Sequence, residues 1–221
     1  MILAVDIGNS RAKFGLFRGS RLVRAFDRLP SRLPSVESVA VSSVNPPALR
    51  KLLPRLRKLA PVRIAGKDLP IPLVNLSKGT GTDRLLGAYA AWRRAKGPVV
   101  VVDVGTAITL NVVDAKGRFL GGAIFAGPRL ALKALAESAA LLPGVSPSAA
   151  VGIGKDTRSA IRAGAALAYG GFLLEGLSAA TKALGRRPRL FVTGGDGGLF
   201  GRTHPHLVLE GLAACGISRT S

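Results

Sequence analysis

Two apolar runs of the chain share one pattern, in which an aspartate closes an apolar segment and a glycine follows two positions later. The runs are MILAVDIG at residues 1–8 and VVVVDVG at residues 99–105. Continuous apolar segments of this length, rich in valine and isoleucine, are typical of buried strands. Each is followed by a second apolar segment and a polar turn, RGSR in the first copy and DAKGR in the second. The pattern predicts two strand-rich units that begin near residues 1 and 98.

The two units align at a constant offset of 97 residues. This offset pairs Asp6 with Asp103, Gly8 with Gly105 and Ser10 with Ala107. Solenoid repeats have periods of roughly 20–50 residues, so the larger spacing favours duplication of a whole domain. We expect an α/β fold of two duplicated domains, residues 1–97 and 98–221, each with a mixed β-sheet flanked by helices.

Segments between and after these runs support the α/β class. SVAVSSV and PVRIA are predicted strands, on either side of a helix over residues 48–59 that Pro54 should kink or cut. A second helix follows GTGTDR and ends at Gly97 and Pro98, where we place the domain boundary. The later segments predict a strand in RLFVTGG and helices over residues 130–142, 157–184 and 206–216.

The formal net charge of +20 is concentrated early in the chain. Residues 1–63 hold 13 Arg and Lys but only three acids. Such an excess suits a polyanion such as nucleic acid. Aromatic residues make up only 5% of the chain and do not alternate with the basic ones, so no base-stacking platform is visible. We favour a basic surface that attracts small anions, with polyanion binding as the alternative.

Membrane insertion and internal disulfides are not expected. The longest apolar stretches, residues 99–113 and 163–174, are shorter than the about 20 residues that span a bilayer. The first residues lack a basic leader and carry Asp6 within their apolar run, unlike a signal peptide. Cys215 is the single cysteine, and we interpret it as a packed apolar residue. We expect a cytoplasmic protein.

The two Asp-x-Gly corners are the strongest candidate site. An aspartate at the end of a buried strand is costly unless its charge meets a cation or hydrogen-bond donors. Glycine two residues later lets backbone N–H groups approach a bulky anion such as phosphate. Ser10, Arg11, Lys13 and Thr106 lie in the same corners. Two such corners in facing halves suit ATP with its metal ion, whereas the alternative is two hairpins whose aspartates cap turns.

The duplicated Asp-x-Gly hairpin resembles the actin, Hsp70 and sugar-kinase superfold, in which two RNase H-like domains bind ATP between them. Five motifs, in order, resemble those of the type III pantothenate kinases. They are DIGNSRAKFG from residue 6, GTDR from residue 81, VVDVGTAITLNVVDAKGRFLGGAI from residue 101, GKDT from residue 154 and VTGG from residue 192. The resemblance implies an actin-like ATPase fold and ATP-dependent phosphorylation of pantothenate, the first step towards coenzyme A.

The resemblance also implies roles for individual residues. ATP would be bound by Asp6, Ile7, Gly8, Asn9, Ser10, Arg11, Ala12, Lys13 and Thr106. Pantothenate would be bound by Gly81, Thr82, Asp83, Arg84 and Thr157, with Asp83 as the catalytic proton acceptor. Asp103 would hold a monovalent cation, K⁺ or NH₄⁺, beside the Mg²⁺ that accompanies ATP. The family is homodimeric with its substrate site near the subunit interface, and in the superfold Gly194 and Gly195 fall where adenosine binds.

Simpler interpretations of three of these residues stay open at the level of sequence. The first turn of a helix favours the ionised, proton-accepting form of Asp83, although many ordinary acids lie in first turns. Lys13 is the candidate that neutralises the γ-phosphate, unless it lies on the exposed side of a strand. Thr157 also suits a helix N-cap.

The chain departs from the family pattern in two places. The segment LVNLSKG before GTDR has neither the tyrosine nor the Asn-Pro of the family, and Ala126 replaces the proline that follows the GG-x-I segment. The first departure affects one wall of the pantothenate pocket. It leaves two alternatives to pantothenate phosphorylation, a kinase for another small hydroxy acid and a non-catalytic regulatory or nucleic-acid-associated factor on the same fold.

Overall fold

The computed structural model describes residues 1–149 and 152–217. The first half contains β1 (Ile2–Ile7), β2 (Ala12–Arg18), β3 (Arg21–Phe26), β4 (Ser38–Ser43), α1 (Pro46–Arg57), β5 (Val62–Ile64), β6 (Val74–Asn75) and α2 (Thr82–Ala95). The second half contains β7 (Val99–Val104), β8 (Ala107–Val113), β9 (Arg118–Ala126), α3 (Pro128–Ser138), α4 (Thr157–Leu184), β10 (Arg189–Thr193), a 3₁₀ turn (Gly197–Phe200) and α5 (Leu207–Ile217).

The two halves build the same arrangement of strands. The first sheet has the order β3-β2-β1-β4-β5, with β1 to β3 antiparallel and β4 and β5 parallel to β1. The second sheet has the order β10-β7-β8-β9-β6, with β7 to β9 antiparallel and β10 parallel to β7. Strands β1 to β4 therefore correspond to β7, β8, β9 and β10. Two mixed sheets flanked by helices confirm the predicted α/β class.

Helices α2 and α5 lie between the two sheets. Side chains alternate along each strand, so Val5 packs towards α1 while Ala4 packs towards α2 and α5. In the second sheet Val101 packs towards α2 and Val102 towards α4. The order of layers is therefore α1, first sheet, α2 with α5, second sheet and α4. These apolar faces hold the fold together by removing aliphatic surface from water.

The halves exchange elements across this central layer. Helix α5 packs on β1 and β4 of the first sheet, and α2 packs on β7 of the second. The crossing of α2 and α5 is close, because a Cβ on Gly211 would lie 2.3 Å from the carbonyl oxygen of Leu86. Strand β6 joins the edge of the second sheet by pairing with β9. The domain boundary at residues 97 and 98 stays a prediction.

The predicted helices form, with different ends. Pro54 does not cut α1, which continues to Arg57. Helix α3 begins at Pro128, because proline is favoured in the first turn where its missing N–H is not needed, and ends at Ser138. Helix α2 ends through Lys96, which has φ of 52°, rather than through Gly97. Strand β6 and the 3₁₀ turn lie in segments for which no element was predicted.

Helix α4 occupies the predicted residues and is 28 residues long. Within the described ranges it is the one helix whose length and apolar composition would allow it to cross a membrane, and only 17% of its most apolar window is buried. It carries four charged side chains, and its inner face packs on the second sheet through Tyr169 and Ala180. Its outer face includes the exposed Leu167 and Leu174.

Candidate active site

The two Asp-x-Gly corners border a common cleft of about 800 Å³. Alternation along β1 and β7 puts Asp6 and Asp103 on the inner faces of the two sheets, beyond the N-terminus of α2. Ten of the residues predicted to bind the phosphates, pantothenate or the cation line this cleft: Asp6, Gly8, Asn9, Ser10, Arg11, Lys13, Asp83, Arg84, Asp103 and Thr106. Corners from both halves and the start of α2 therefore form one site.

The first corner joins β1 to β2 through residues 8–11. Asp6 lies opposite Lys13 in the register of this hairpin. The N–H of Gly8 donates to the carbonyl of Arg11 at 3.1 Å, and the corner itself is exposed. Ile7 is buried in the core and Ala12 packs against the same core, so these two residues shape the hairpin without lining the cleft.

The second corner is one residue shorter. In the register, Ile7 pairs with Ala12 whereas Val104 pairs with Ile108. Thr106 therefore takes the place expected for Ala107, and its hydroxyl lies 2.9 Å from that of Ser10. The offset of 97 residues therefore holds between β1 and β7, but it is 96 between β2 and β8, directly after the corners. The two corners meet at the mouth of the cleft.

Carboxylates are crowded in the cleft. Burial, the negative charge of Asp83 and that of Asp103 raise the pKa of Asp6 to about 7, against the lowering effect of Lys13. Burial and the charge of Asp83 likewise raise the pKa of Asp103 to about 6, again opposed by Lys13. Lys13 thus offsets the charge of both Asp6 and Asp103, and a third carboxyl, that of Asp83, lies close to them. The site is therefore suited to receive a further cation.

The oxygen atoms of the cleft fit a metal ion that is bound partly by the protein and partly by a nucleotide. No group of three or more metal-binding side chains close enough to enclose an ion occurs in the described residues. Mg²⁺ commonly takes one or two carboxylates, with phosphate oxygens and water as its other ligands. Asp6 and Asp103, whose pKa values burial raises, offer such oxygens.

Asp83 and Arg84 stand in the first turn of α2. Oδ1 of Asp83 accepts the N–H of Arg84 at 2.8 Å. Nε of Arg84 donates to Oδ1 of Asn111 at 2.6 Å, and its guanidinium lies 5.8 Å from the ring centre of Phe119. Burial lowers the pKa of Arg84, which the charge of Asp83 partly opposes. Arg84 is therefore fixed at Nε, with its terminal nitrogens left beside the cleft.

Gly81 and Thr82 hold the start of α2 without lining the cleft. A Cβ on Gly81 would lie 2.6 Å from Oδ1 of Asp83, so a side chain there would displace the carboxylate. The hydroxyl of Thr82 lies 3.0 Å from that of the fully buried Ser42 at the end of β4. These contacts fix α2 to the first sheet and so position Asp83.

Thr157 is not among the residues that line the cleft. It is exposed at the first position of α4, and the N-cap is Asp156, whose side chain accepts the N–H of Ser159 at 2.9 Å. The N-cap interpretation of Thr157 is therefore wrong by one residue. Its predicted contact with pantothenate stays a prediction.

The glycine corner after β10 closes the cleft on the side of the second half. Gly194 has φ of +94°, and a Cβ there would lie 2.4 Å from the carbonyl oxygen of Val104, so this position requires glycine. A Cβ on Gly195 would lie 2.8 Å from Nη2 of Arg11, which reaches across from the first corner. Both glycines line the cleft, as expected for this corner.

Several residues in or behind the cleft had no predicted role. Asn111 is buried and donates to the carbonyl of Val101 and the hydroxyl of Thr109, at 3.3 and 2.9 Å. Its signal in the sequence is one amide within the apolar run AITLNVV. Arg129, Lys133 and Asp196 border the cleft itself, and no local motif distinguishes them from surface charges.

Two mixed sheets that each present an acidic hairpin to a shared cleft define the actin-like ATPase class, which includes many small-molecule kinases. Solved structures agree with this class. The chain is similar to a Campylobacter jejuni protein provisionally named a Baf family transcriptional activator, with 22% identity, a TM-score of 0.66 and 96% of each chain covered. It is also similar to Listeria monocytogenes Lmo2764, provisionally named an N-acetylmannosamine kinase, with 15% identity, a TM-score of 0.51 and coverage of 97% and 96%.

Within this class, the chain belongs to the type III pantothenate kinase family, whose model matches residues 2–179. A protein of Synechococcus elongatus named type III pantothenate kinase is 33% identical, over 95% of this chain and 94% of its own length. One of Thermus thermophilus with the same name is 35% identical, over 88% and 87%. The resemblance expected from the five motifs is confirmed.

Proposed function

We propose that the protein transfers the γ-phosphoryl group of ATP to the primary hydroxyl of pantothenate, giving 4'-phosphopantothenate in the first step of coenzyme A biosynthesis. Membership of the type III pantothenate kinase family supports this reaction. The single structural observation that carries it is the convergence of Asp83 with both acidic corners in one cleft. An acceptor held at Asp83 would face a nucleotide held by the corners.

On the acceptor side, Asp83 is the proposed proton acceptor for the pantothenate hydroxyl. It lies in the first turn of α2 and lines the cleft. Arg84 is the proposed partner of the pantothenate carboxylate, because its Nε is bound to Asn111 and its terminal nitrogens can form a two-pronged contact. Gly81 and Thr82 shape this part of the site.

On the nucleotide side, the corner from Gly8 to Arg11 and the hydroxyls of Ser10 and Thr106 are the proposed phosphate contacts. Phosphoryl transfer passes through a loose transition state, so alignment and charge neutralisation matter more than proton removal. Lys13 is close enough to Asp6 and Asp103 to lower the pKa of both carboxyls. We assign it the neutralisation of charge on the transferring phosphoryl group.

We propose that Mg²⁺ and the monovalent cation bind near Asp6 and Asp103, at the C-terminal ends of β1 and β7. Mg²⁺ bound with ATP would offset the negative charge of the phosphates, and Asp6 and Asp103 would supply carboxylate oxygens to it. Asp103 is the proposed ligand of the monovalent cation, K⁺ or NH₄⁺. Burial raises the pKa of Asp103 against the effect of Lys13, which agrees with a carboxyl that a bound cation would stabilise in its charged form.

A homodimer formed through α4 is proposed from the outer face of that helix. Gly164, Leu167, Gly171 and Leu174 recur at the three- and four-residue spacing of a two-helix seam. Both leucines are more than half exposed, and a Cβ on either glycine would meet open space. Packing of a second copy there would cover the apolar surface. Thr157, at the start of the same helix, would lie near the interface and could complete the pantothenate site of the partner.

The proposed compartment is the cytoplasm, where ATP and coenzyme A synthesis are found. The charge of +20 would favour the approach of two anionic substrates, an effect on rate that declines with salt. We propose no role for membrane or nucleic acid. The apolar outer face of α4 is assigned to the dimer rather than to a bilayer.

The test is a kinase assay on the purified protein with ATP, Mg²⁺ and K⁺. Pantothenate is offered beside other small hydroxy acids, and products are identified by mass spectrometry. Phosphorylation of a different acid instead would replace pantothenate as the substrate, and the altered LVNLSKG segment would then account for the change. Nucleotide binding without phosphorylation of any acceptor would instead favour the regulatory alternative.

The variant Asp83→Asn tests the proton acceptor. We expect kcat to fall by about 100-fold or more, because general base catalysis typically contributes 10²–10⁴-fold, while the affinity for ATP measured by calorimetry is retained. Asp27→Asn, at an exposed acid outside the cleft, is the matched control. Unchanged kcat in Asp83→Asn would remove Asp83 from this role.

A further inference from the structure

Helix α3 brings two cationic side chains to the cleft. Arg129 and Lys133 are one helical turn apart and both line the cleft beside the second corner. They also line an adjoining cavity of about 440 Å³ between α3 and residues 144–147. Both side chains are well exposed, at 68% and 71%. The pair therefore stands in solvent at the junction of two cavities.

Helix α3 is held rigidly against the second corner. The N–H of Gly127, its N-cap, donates to the carbonyl of Thr106 at 2.8 Å. A Cβ on Gly127 would lie 2.0 Å from the carbonyl oxygen of Gly105, so only glycine permits this approach. The position of Arg129 is therefore fixed relative to Thr106, a proposed phosphate contact.

Asp196 orients Arg129. Nε of Arg129 donates to Oδ1 of Asp196 at 2.8 Å, and the Asp196 side chain is only 10% exposed. The N–H of Asp196 in turn donates to the carbonyl of Val104 at 3.0 Å. In the described part of the chain, Nε is the nitrogen of Arg129 that forms a hydrogen bond, and the two terminal nitrogens form none. The guanidinium is therefore held at Nε, and its two terminal nitrogens remain available as hydrogen-bond donors.

The charge of the cleft depends on these two residues. Five cationic side chains line it, from Arg11, Lys13, Arg84, Arg129 and Lys133, against four carboxylates from Asp6, Asp83, Asp103 and Asp196. Without the two cations of α3 the carboxylates would outnumber the cations by four to three. Such a cleft would disfavour a polyphosphate, whereas the complete set favours it.

We propose that Arg129 and Lys133 bind the phosphate tail of the nucleotide and that Asp196 is the positioning residue for Arg129. The inference rests on the proposed function only in taking that ligand to be a nucleoside triphosphate. A guanidinium fixed at Nε can offer a two-pronged contact to phosphate oxygens. Lys133, which forms an exposed ion pair with Glu137 at 3.6 Å, supplies a point charge one turn away.

The test measures nucleotide affinity without any acceptor. ATP binding is followed by calorimetry and adenosine binding by saturation-transfer NMR, for the wild type and for Arg129→Ala, Lys133→Ala, Arg129→Lys and Asp196→Asn. We expect Arg129→Ala to raise the Kd for ATP about tenfold, as for the loss of one charge-assisted contact, with no change for adenosine. Arg129→Lys should recover part of the loss, and Asp196→Asn should cause a smaller one. Arg55→Ala, an exposed position on α1, controls for net charge.

Two results would overturn the assignment. Unchanged ATP affinity in the double variant Arg129→Ala/Lys133→Ala would remove both residues from the phosphate site. Equal weakening of ATP and adenosine would show a structural effect on the cleft instead of a contact to phosphate. Failure of the proposed function is distinguishable, because a protein that binds ATP in this way yet does not phosphorylate pantothenate supports the inference and refutes the acceptor.

Discussion

At the scale of single residues, the carboxyl groups of the cleft oppose the stability of the free protein. Burial raises the pKa of Asp6 to about 7, which means that the folded state holds a proton that the unfolded chain has released. The stability that protonated Asp6 gives the folded state is therefore fully present below the unfolded pKa of about 4. It is lost as pH rises towards 7. Above pH 7 the folded protein holds a charge that is poorly compensated.

Asp6→Asn should make this cost visible. The amide is neutral at all pH values, so the variant should gain free energy of unfolding relative to the wild type as pH rises. We expect the difference to grow by about 2–3 kcal/mol between pH 5 and pH 8, at about 1.4 kcal/mol per pKa unit. The measurement is urea denaturation at both pH values with EDTA present, so that no divalent metal ion binds.

Asp114 is the control with the opposite sign. Burial acts to raise its pKa, but hydrogen bonds from the backbone and side chain of Arg118 and from the backbone of Lys116 together lower it. Asp114→Asn should therefore destabilise the protein by about 1–3 kcal/mol, equally at pH 5 and pH 8, because the carboxyl is ionised in both states. A pH-independent difference for Asp6→Asn as well would contradict the raised pKa.

The sequence alone identifies site residues that are polar or charged within an apolar segment. An aspartate that closes an apolar run is such a conflict, and both Asp6 and Asp103 lie in the cleft. Arg129 and Asp196 are 67 positions apart, and each is an ordinary charged residue in its own segment. Their pairing depends on a fold that brings the start of α3 to the corner after β10, which no local pattern encodes. Tertiary contacts of this kind need the structure.

At the scale of elements, long segments with strong signals were predictable and short ones were not. Helix α4 occupies residues 157–184 as predicted, because Gly185 ends it and a polar GKDT segment begins it. The two residues of β6 have no period of their own, and they form a strand only because β9 offers a free edge. Short elements of this kind depend on a neighbour.

The end of α2 gives an element-scale prediction. Lys96 has φ of 52°, a left-handed conformation that costs a residue with a side chain roughly 1–2 kcal/mol and glycine almost nothing. Lys96→Gly should raise the free energy of unfolding by about 0.5–1 kcal/mol, after subtraction of the entropy that glycine adds to the unfolded chain. Thermal unfolding measured by circular dichroism checks the change.

The matched control is Lys51→Gly, within α1, where the backbone is helical. That variant should lose about 1 kcal/mol, since glycine is a poor residue in a helix interior. A loss of stability in Lys96→Gly comparable to that of Lys51→Gly would refute the strained C-terminus of α2.

At the scale of the whole molecule, the duplication was predictable and the layering was not. The offset of 97 residues already relates β1 to β7, and the structure reproduces this relation in both sheets. Nothing local to residues 207–217 indicates that α5 packs on the first sheet, because an apolar helix could cover either. The five motifs were enough to identify the family. The residues that contact each motif could be found only from the fold.

The outer face of α4 gives the whole-molecule prediction. Leu174→Glu should convert the proposed dimer to a monomer, because a carboxylate would be buried in the apolar seam without a partner. Size-exclusion chromatography with light scattering gives the mass directly. Leu59→Glu, at another exposed leucine, should leave the mass unchanged. A wild-type monomer, or a dimer that persists in Leu174→Glu, would exclude this interface.

The position of α5 between the sheets has a consequence for biosynthesis. The inner face of the first sheet is covered by Leu209 and Leu212, which are almost fully buried. A ribosome synthesises residues 1–97 long before those leucines, so α2 alone is available to cover this apolar face until α5 has been made. The N-terminal half then cannot complete its core as an independent early unit, and chaperones that bind exposed aliphatic surface would have their target there until synthesis has passed residue 217.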